Sequence, residues 1–317
     1  MLVENDHRSF PTSTDEEPSV LLQPEAIIED VFDGERVGGG PRSDWKRPAT
    51  LVTPEIVRAT GGGLASLLLG QANYWCSPRK CKRQFRAMFE VGGVPVWLGG
   101  YQSFADSMGT TSTKARHAIN KLVAEGFITR GGRTPLFLTP TLSGWQLSYP
   151  DANELYVPYL CQSLDAVSIQ PLTRERLASY HPLLQRWPVP LPHPQVRNRA
   201  IWIPQSFIAI CEENFNAAIV LSNLRYWHRK NFKNQSMRTL NGISGWFWKT
   251  WRRHEVETGL SVKQLGNAMG YLRRRGFAQS CRARTRNGSR LKVQMRLNMN
   301  TILDALNLLT YEDGRWV

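Results

Sequence analysis

The chain repeats itself at an offset of about 150 residues. Ala65, Leu68, Leu69, Ala72 and Trp75 recur as Ala217, Val220, Leu221, Leu224 and Trp227. Spacings of three and four place each set on one face of a helix. Further along, Gly109, Ala118, Leu122, Gly126 and Phe127 recur as Gly259, Ala268, Leu272, Gly276 and Phe277. Upstream, Leu51 to Pro54 matches Ile201 to Pro204, and Trp97 and Trp248 each precede the second block. A sequence that duplicates itself in this way folds as two units of one kind. The boundaries expected from the repeat are 46–145 for the first unit and 199–300 for the second.

Within each unit the order of signals is the same. Tyr101 to Met108 suits a short helix, Gly109 a turn needing positive φ, and the Thr and Ser residues after it a helix start. The next helix, running to Glu125, buries Ala115, Ala118, Ile119 and Leu122 and turns Lys114, Arg116, His117, Asn120 and Lys121 outward. In the second unit, Trp251 to Thr258 is the first helix, Gly259 the turn and Ser261 the N-cap. Leu265, Ala268, Met269 and Leu272 form the buried stripe; Lys263, Gln264, Asn267, Tyr271 and Arg274 face out. A hairpin follows each pair of helices. In the second unit Asn287-Gly288 joins two alternating runs, because both turn residues accept positive φ; in the first, Gly131-Gly132 takes that place. Helix, glycine turn, second helix and hairpin is the pattern of a winged helix-turn-helix. The expected fold class is α+β, mainly α, with two tandem winged helix-turn-helix domains.

The rest of the chain is read from composition. Residues 1–45 carry eleven acidic and three basic residues and end in a glycine run, which predicts a disordered acidic tail. Residues 146–198 are Tyr-, Leu- and Pro-rich, which predicts a stiff extended linker spacing the units. Residues 301–317 are expected to be a C-terminal tail. The whole chain carries +14, but subtracting the acidic tail leaves +22 from residue 46 onward. Between 199 and 300 there are nineteen basic and four acidic residues, and between 48 and 145 eleven and four. Two more basic clusters, Arg79 to Arg86 and Arg225 to Arg238, read as loops. Such a surface seeks a polyanion.

The side chains facing out are those that read base edges: Asn and Gln pair with adenine, Arg and Lys with guanine. The expected DNA contacts on the second helices are Thr113, Lys114, Arg116, His117, Asn120 and Lys121, then Lys263, Gln264, Asn267, Tyr271 and Arg274. On the hairpins they are Arg130 and Arg133, then Arg282, Arg284, Arg286 and Arg290, which suit phosphates or a minor groove. The bland alternative is a helical pair and hairpin used for packing or dimerisation, with a solvated basic face.

No enzymatic signature emerges. There is no phosphate-binding GxxxxGK[ST] loop and no HExxH, since His254-Glu255 lacks a second histidine. The five cysteines, Cys76, Cys81, Cys161, Cys211 and Cys281, are scattered and read as reduced thiols, not a zinc site. No apolar run reaches the roughly 18 residues of a membrane span. The expectation is a cytoplasmic, non-enzymatic protein without metal or cofactor and with no membrane partner.

The residues Tyr74-Trp75, Trp97 and Ser112 to Phe127, with Tyr226-Trp227, Trp248 and Ser261 to Phe277, resemble the tandem winged-helix replication initiators of bacterial plasmids and the helix-turn-helix replication organisers of phages. The likeness covers about 200 residues. It implies recognition of origin repeats in double-stranded DNA by both units, with a switch between monomer and dimer. The acidic tail and Pro-rich linker depart from that pattern and leave the dimer surface open. Two other functions fit the residues: a transcription regulator, or a DNA- or RNA-backbone-binding subunit of a larger nucleoprotein complex. The arginine content and eleven tryptophans favour the latter, because Trp also suits protein interfaces.

Overall fold

A computed structural model describes residues 49–76, 78–79, 84–85, 89–91, 94–132, 135–148, 169–171, 200–284, 291–312 and 315–316. The first half opens with β1 (Ala49–Val52), α1 (Pro54–Thr60) and α2 (Gly63–Cys76). Thr53 caps α1 by accepting from the Ile56 N–H, Pro54 starts it, and Gly61 ends it at φ 72°. Short strands β2 (Pro78–Arg79), β3 (Gln84–Phe85) and β4 (Phe89–Val91) lead to β5 (Val94–Gly99). Then come α3 (Tyr101–Ser107), α4 (Ser112–Ala124), β6 (Ile128–Gly131), β7 (Leu136–Pro140) and α5 (Leu142–Gln146). The strand β8 (Ile169–Pro171) joins β4, so one sheet runs β6-β7-β5-β4-β8.

The second half retraces the path. It contains β9 (Ile201–Pro204), α6 (Gln205–Ile210), α7 (Phe215–Lys233), β10 (Arg238–Leu240), β11 (Ile243–Trp248), α8 (Trp251–Thr258) and α9 (Val262–Arg274). The hairpin strands are β12 (Ala278–Arg284) and β13 (Leu291–Leu297), in a sheet ordered β10-β11-β13-β12. In both sheets the strand before the short helix pairs with the outgoing strand of the hairpin: β5 with β7, and β11 with β13. The chain closes with α10 (Met299–Asn307), β14 (Tyr311–Glu312) and β15 (Arg315–Trp316).

The repeated glycines do what their spacing implied. Gly109 and Gly259 turn the chain at φ 60° and 74°, and Gly126 and Gly276 end the second helices at 73° and 72°. After each, the phenylalanine N–H reaches back into the helix, Phe127 to Leu122 O and Phe277 to Leu272 O, both at 2.9 Å. Asn287-Gly288 lies outside the described residues, but the register Arg284↔Leu291 brackets it symmetrically. In the first half the turn sits one step later than expected. Gly131 is a strand residue paired with Phe137, whose ring leaves no room for a Cβ, and Gly132 takes the positive φ of 71°.

Four expectations change. First, the two halves are not spaced apart; of the expected linker, 149–168 and 172–198 lie outside the described residues, and β8 belongs to the first sheet. One continuous apolar core runs from Val52, Ile56, Leu68 and Ile119 to Ile203, Phe207, Leu221 and Leu265. Each half alone would leave that face in water. Second, residues 301–317 are not a tail: α10 buries Met299, Ile302 and Leu306 against that core. Third, most of the basic run from Arg225 is helix, because it supplies the polar side of α7 as far as Lys233. Fourth, the run from Arg79 contains the paired strands β2 and β3. Residues 1–45 lie outside the described residues.

The halves meet about a pseudo-two-fold axis. Strands β1 and β9 pair antiparallel, with Leu51 opposite Trp202 and Val52 opposite Ile201. At the repeat offset Leu51 is equivalent to Ile201 and Val52 to Trp202, so each pair is the mirror of the other. Reciprocal pairing of this kind marks a two-fold interface. Where α1 and α6 meet the opposite half, equivalent carbonyls accept from donors that are not themselves equivalent: Arg58 donates to Val256 O at 3.2 Å and Gln205 to Asp106 O, whereas Arg58 matches Ile208 and Gln205 matches Glu55 in the repeat. Gly259 lies so close to Pro54 that an added Cβ would come within 2.1 Å of its carbonyl oxygen, whereas one at Gly109 would make only ordinary contact with Gln205, at 3.7 Å.

Candidate nucleic-acid interface

The second helices, α4 and α9, carry most of the expected contacts. Thr111 caps α4, accepting from the Lys114 N–H, and Ser261 caps α9 within a capping box closed by Gln264. Ala115, Ile119 and Leu122 are buried on α4, with Ala118 half-buried, and Leu265, Ala268, Met269 and Leu272 are buried on α9. At about 100° per residue, the ridge opposite these stripes is Thr113, His117, Asn120 and Ala124 on α4. On α9 it is Lys263, Asn267, Gly270 and Arg274. All are exposed except half-buried Gly270. Arg116 and Gly266 form an exposed outer shoulder.

The inner shoulder is occupied. Lys114 forms an ion pair of 2.6 Å with Glu213, which also accepts from the Thr110 hydroxyl at 2.8 Å. Lys121 donates to Thr60 O at 2.6 Å. Gln264 donates to Gly61 O at 2.7 Å, while its own oxygen accepts from the Ser261 N–H and hydroxyl. Tyr271 donates to Glu212 at 3.1 Å, and Arg275 pairs with the same carboxylate. Burial and the Glu212 carboxylate push the Tyr271 phenol up to about 12. Four expected base readers, Lys114, Lys121, Gln264 and Tyr271, therefore hold the two loops between α4 and α9. To reach a base they would first have to let go.

Those loops differ between the halves. The first is Gly61, Gly62 and Gly63, all at positive φ; the second places Glu212 and Glu213 at φ 50° and 60°. Left-handed backbone is costly for residues with a Cβ, and here it delivers one carboxylate to each helix. Sequence reading missed this clasp. Its signal is that two of the four acidic residues between 199 and 300 stand side by side opposite a glycine triplet.

The hairpin residues are only partly placed. Arg130 is exposed on β6; it donates to Tyr101 Oη at 2.9 Å and to Asn120 Oδ1. The Arg116 guanidinium lies 5.9 Å from the Tyr101 ring centre. Arg282 is exposed on β12, and Arg284 lies at the end of that strand. Arg133, Arg286 and Arg290 lie outside the described residues. The structure thus ties Arg130 to the α4 ridge through Asn120, and leaves the ridges, Arg116, Arg130 and Arg282 exposed.

Gly266 and Gly270 interrupt a helix that has no packing reason for them. A Cβ at Gly266 would meet nothing within 4 Å, and one at Gly270 only the tip of Arg274 at 3.6 Å. Replacing each with alanine should raise stability by about 0.5–1 kcal/mol, read as a higher denaturant midpoint. A loss of stability on either substitution would mean that the helix is packed there.

A polar cluster lies beneath α8, away from the ridges. Lys249 is 1% exposed; its ammonium donates to Glu257 and to Asn223 Oδ1, each at 2.6 Å. Glu257 also accepts from Trp227 and Asn223 and pairs with Arg253 at 2.9 Å. The Trp227 ring faces Lys249, Arg253 and Lys230 at 4.6, 4.3 and 4.9 Å. His254 is buried against Asn223 and Met295. Burial lowers Lys249 to about 7 against the pull of Glu257, and lowers His254 to about 3. Burial alone would raise Glu257, but the Lys249 charge and the hydrogen bonds it accepts bring it to about 2. The first half has Gly99, Phe104 and Ser107 at the positions of Lys249, His254 and Glu257.

Among the described residues there is no group of three His, Cys, Asp or Glu side chains able to hold a metal ion. No helix among them is long and apolar enough to cross a membrane. Cys76 and Cys211 are buried free thiols and Cys281 is half-buried. Comparison with known proteins returned no matching family model, no matching curated protein and no matching solved structure.

Proposed function

We propose that each half is a winged helix-turn-helix unit and that the pair binds double-stranded DNA, with α4 and α9 as recognition helices and the hairpins as wings. The observation that carries this reading is the pair of exposed ridges, Thr113, His117 and Asn120 with Lys263, Asn267 and Arg274, each facing away from its buried stripe. Asn, Lys and Arg there suit base edges in a major groove. Arg130, beside Asn120, and Arg282, exposed on β12, suit the phosphate backbone. Gly266 and Gly270 would let a sugar-phosphate chain approach α9 more closely than any side chain allows. Origin repeats, as in the replication initiators the sequence resembles, or operator sites are the targets this reading supplies.

Selection of bound sites from randomised duplexes tests it. Asn267→Ala should relax sequence preference by about 1–3 kcal/mol at one position. Arg282→Ala should weaken all duplexes alike and reduce the salt slope by about one. Recovery of duplexes with no common motif would remove the specific reader.

A second reading has its own observation. Trp202 is 60% exposed on β9, and Tyr226 and Trp248 are also exposed. Large aromatic side chains on a surface favour contact with another subunit, as in a larger nucleoprotein complex. Co-purification of a stoichiometric partner would favour that function over a lone duplex reader.

A further inference from the structure

The loop that ties α4 to α9 carries charge of the wrong sign for a duplex. Between 199 and 300 there are nineteen basic and four acidic residues. Two of the acids, Glu212 and Glu213, stand against these two helices. We propose that Lys114 with Thr110, and Arg275 with Tyr271, are phosphate-binding groups that the chain keeps covered with its own Glu213 and Glu212, and that the backbone of a duplex takes the place of these carboxylates when it docks. This rests on the duplex-binding reading above and adds to it two phosphate sites and the contact that masks them.

The geometry brings the donors together. Glu213 accepts from the Lys114 ammonium at 2.6 Å and from the Thr110 hydroxyl at 2.8 Å. Its neighbour Glu212 accepts from the Tyr271 phenol at 3.1 Å and from the Arg275 guanidinium. Lys114 lies in the first turn of α4; Tyr271 lies in the last turn of α9 and Arg275 caps it. One end of each helix therefore meets the same acidic loop. Ammonium, guanidinium and hydroxyl groups that converge on anionic oxygen are the donor set that also holds a phosphate.

The turn itself does not require carboxylates. The matching loop of the first half is built from Gly61, Gly62 and Gly63, with no acidic side chain. The second half instead holds Glu212 and Glu213 at positive φ, where a Cβ is costly. The ties they make are easily exchanged. The Lys114 side chain is 57% exposed and that of Arg275 40%, and ion pairs so open to water contribute little to stability. Thr110 is different, because it is buried. When Glu213 leaves, its hydroxyl needs another acceptor, and a phosphate oxygen supplies one.

The experiment uses the full chain and a short duplex of mixed sequence. Glu212→Gln and Glu213→Gln should each tighten binding about fivefold relative to Asp304→Asn. The Asp304 variant removes the same charge from an exposed position on α10 and so measures the general effect of net charge. A second measurement needs no variant. A carbodiimide should join Lys114 to Glu213 in the free parent chain, and saturating duplex should abolish that link, as read by peptide mass spectrometry. Variants that bind no more tightly than Asp304→Asn, or a cross-link of unchanged yield on the duplex, would overturn the inference while leaving the parent a duplex binder. Failure of the parent to bind any duplex would instead remove the reading beneath it.

Discussion

Glu257→Ala should lower the stability of the folded chain by about 3–5 kcal/mol, far more than its partly exposed position on a short helix suggests. The reason lies in what stays behind. Lys249 is 1% exposed and has two anionic or carbonyl partners, Glu257 and Asn223. Removing the carboxylate leaves the Lys249 amine in the interior with only the Asn223 amide oxygen and the face of Trp227, so it must either stay charged without its counter-ion or give up its proton. Burial of an unpaired charge costs more than an ordinary side-chain truncation. The cost should largely vanish when Lys249→Met accompanies Glu257→Ala, because the remaining site is then apolar. Denaturant unfolding of the two single variants and the double variant measures this. A loss below about 1 kcal/mol for Glu257→Ala would show that Lys249 is not held as a buried ion pair.

Acid should destabilise the protein earlier than carboxylate titration alone would allow, by on the order of 3 kcal/mol between neutral pH and pH 4. The sign follows from His254. Burial lowers it from 6.5 to about 3, so below pH 6.5 the unfolded chain binds a proton that the folded chain refuses. Stability present above 6.5 is lost as the pH falls toward 3. Glu257, lowered from 4.5 to about 2 in spite of its burial, adds loss in the same sense over the lower window. Lys249, lowered by burial from 10.5 to about 7, acts in the same direction on the alkaline side: stability falls as the pH drops from 10.5 to 7. His254→Phe places in the second half the residue that the first half already has, Phe104. It should flatten the decline between pH 6.5 and 4 without changing the limb below. An unchanged acid limb in that variant would assign the loss to other groups.

Both expectations concern a cluster that no local pattern announced. His254 and Glu255 drew notice only as an incomplete metalloprotease signature. Lys249 is one of nineteen basic residues between 199 and 300, and nothing in its immediate sequence marks it for burial. Its burial depends on Asn223 from α7 and on Glu257 from α8 reaching the same point. That convergence requires the fold.

What could be read from the chain was local. The capped starts at Thr111 and Ser261, the turns at Gly109 and Gly259 and the stripe from Leu265 to Leu272 depend on neighbours within a turn or two. Backbone sterics and helical periodicity express such features in the sequence itself. The hairpin after each second helix was legible for the same reason, with the error confined to one residue at Gly131. The helical end of α7 was misread because a run of Arg, Lys and Asn carries no apolar periodicity to reveal it.

The sequence by itself determined that there are two units of one kind, which helices form them and which way each helix turns its buried stripe. Only the tertiary structure decided how the units face each other. It made them one core about a pseudo-two-fold axis, tied Lys114, Lys121, Gln264 and Tyr271 to the loops between them, and left the opposite ridges exposed. The physical reason is distance along the chain. The β1–β9 pairing and the Glu212–Glu213 clasp join residues far apart in sequence, and their stability comes from apolar surface and charges that meet only after both halves have formed.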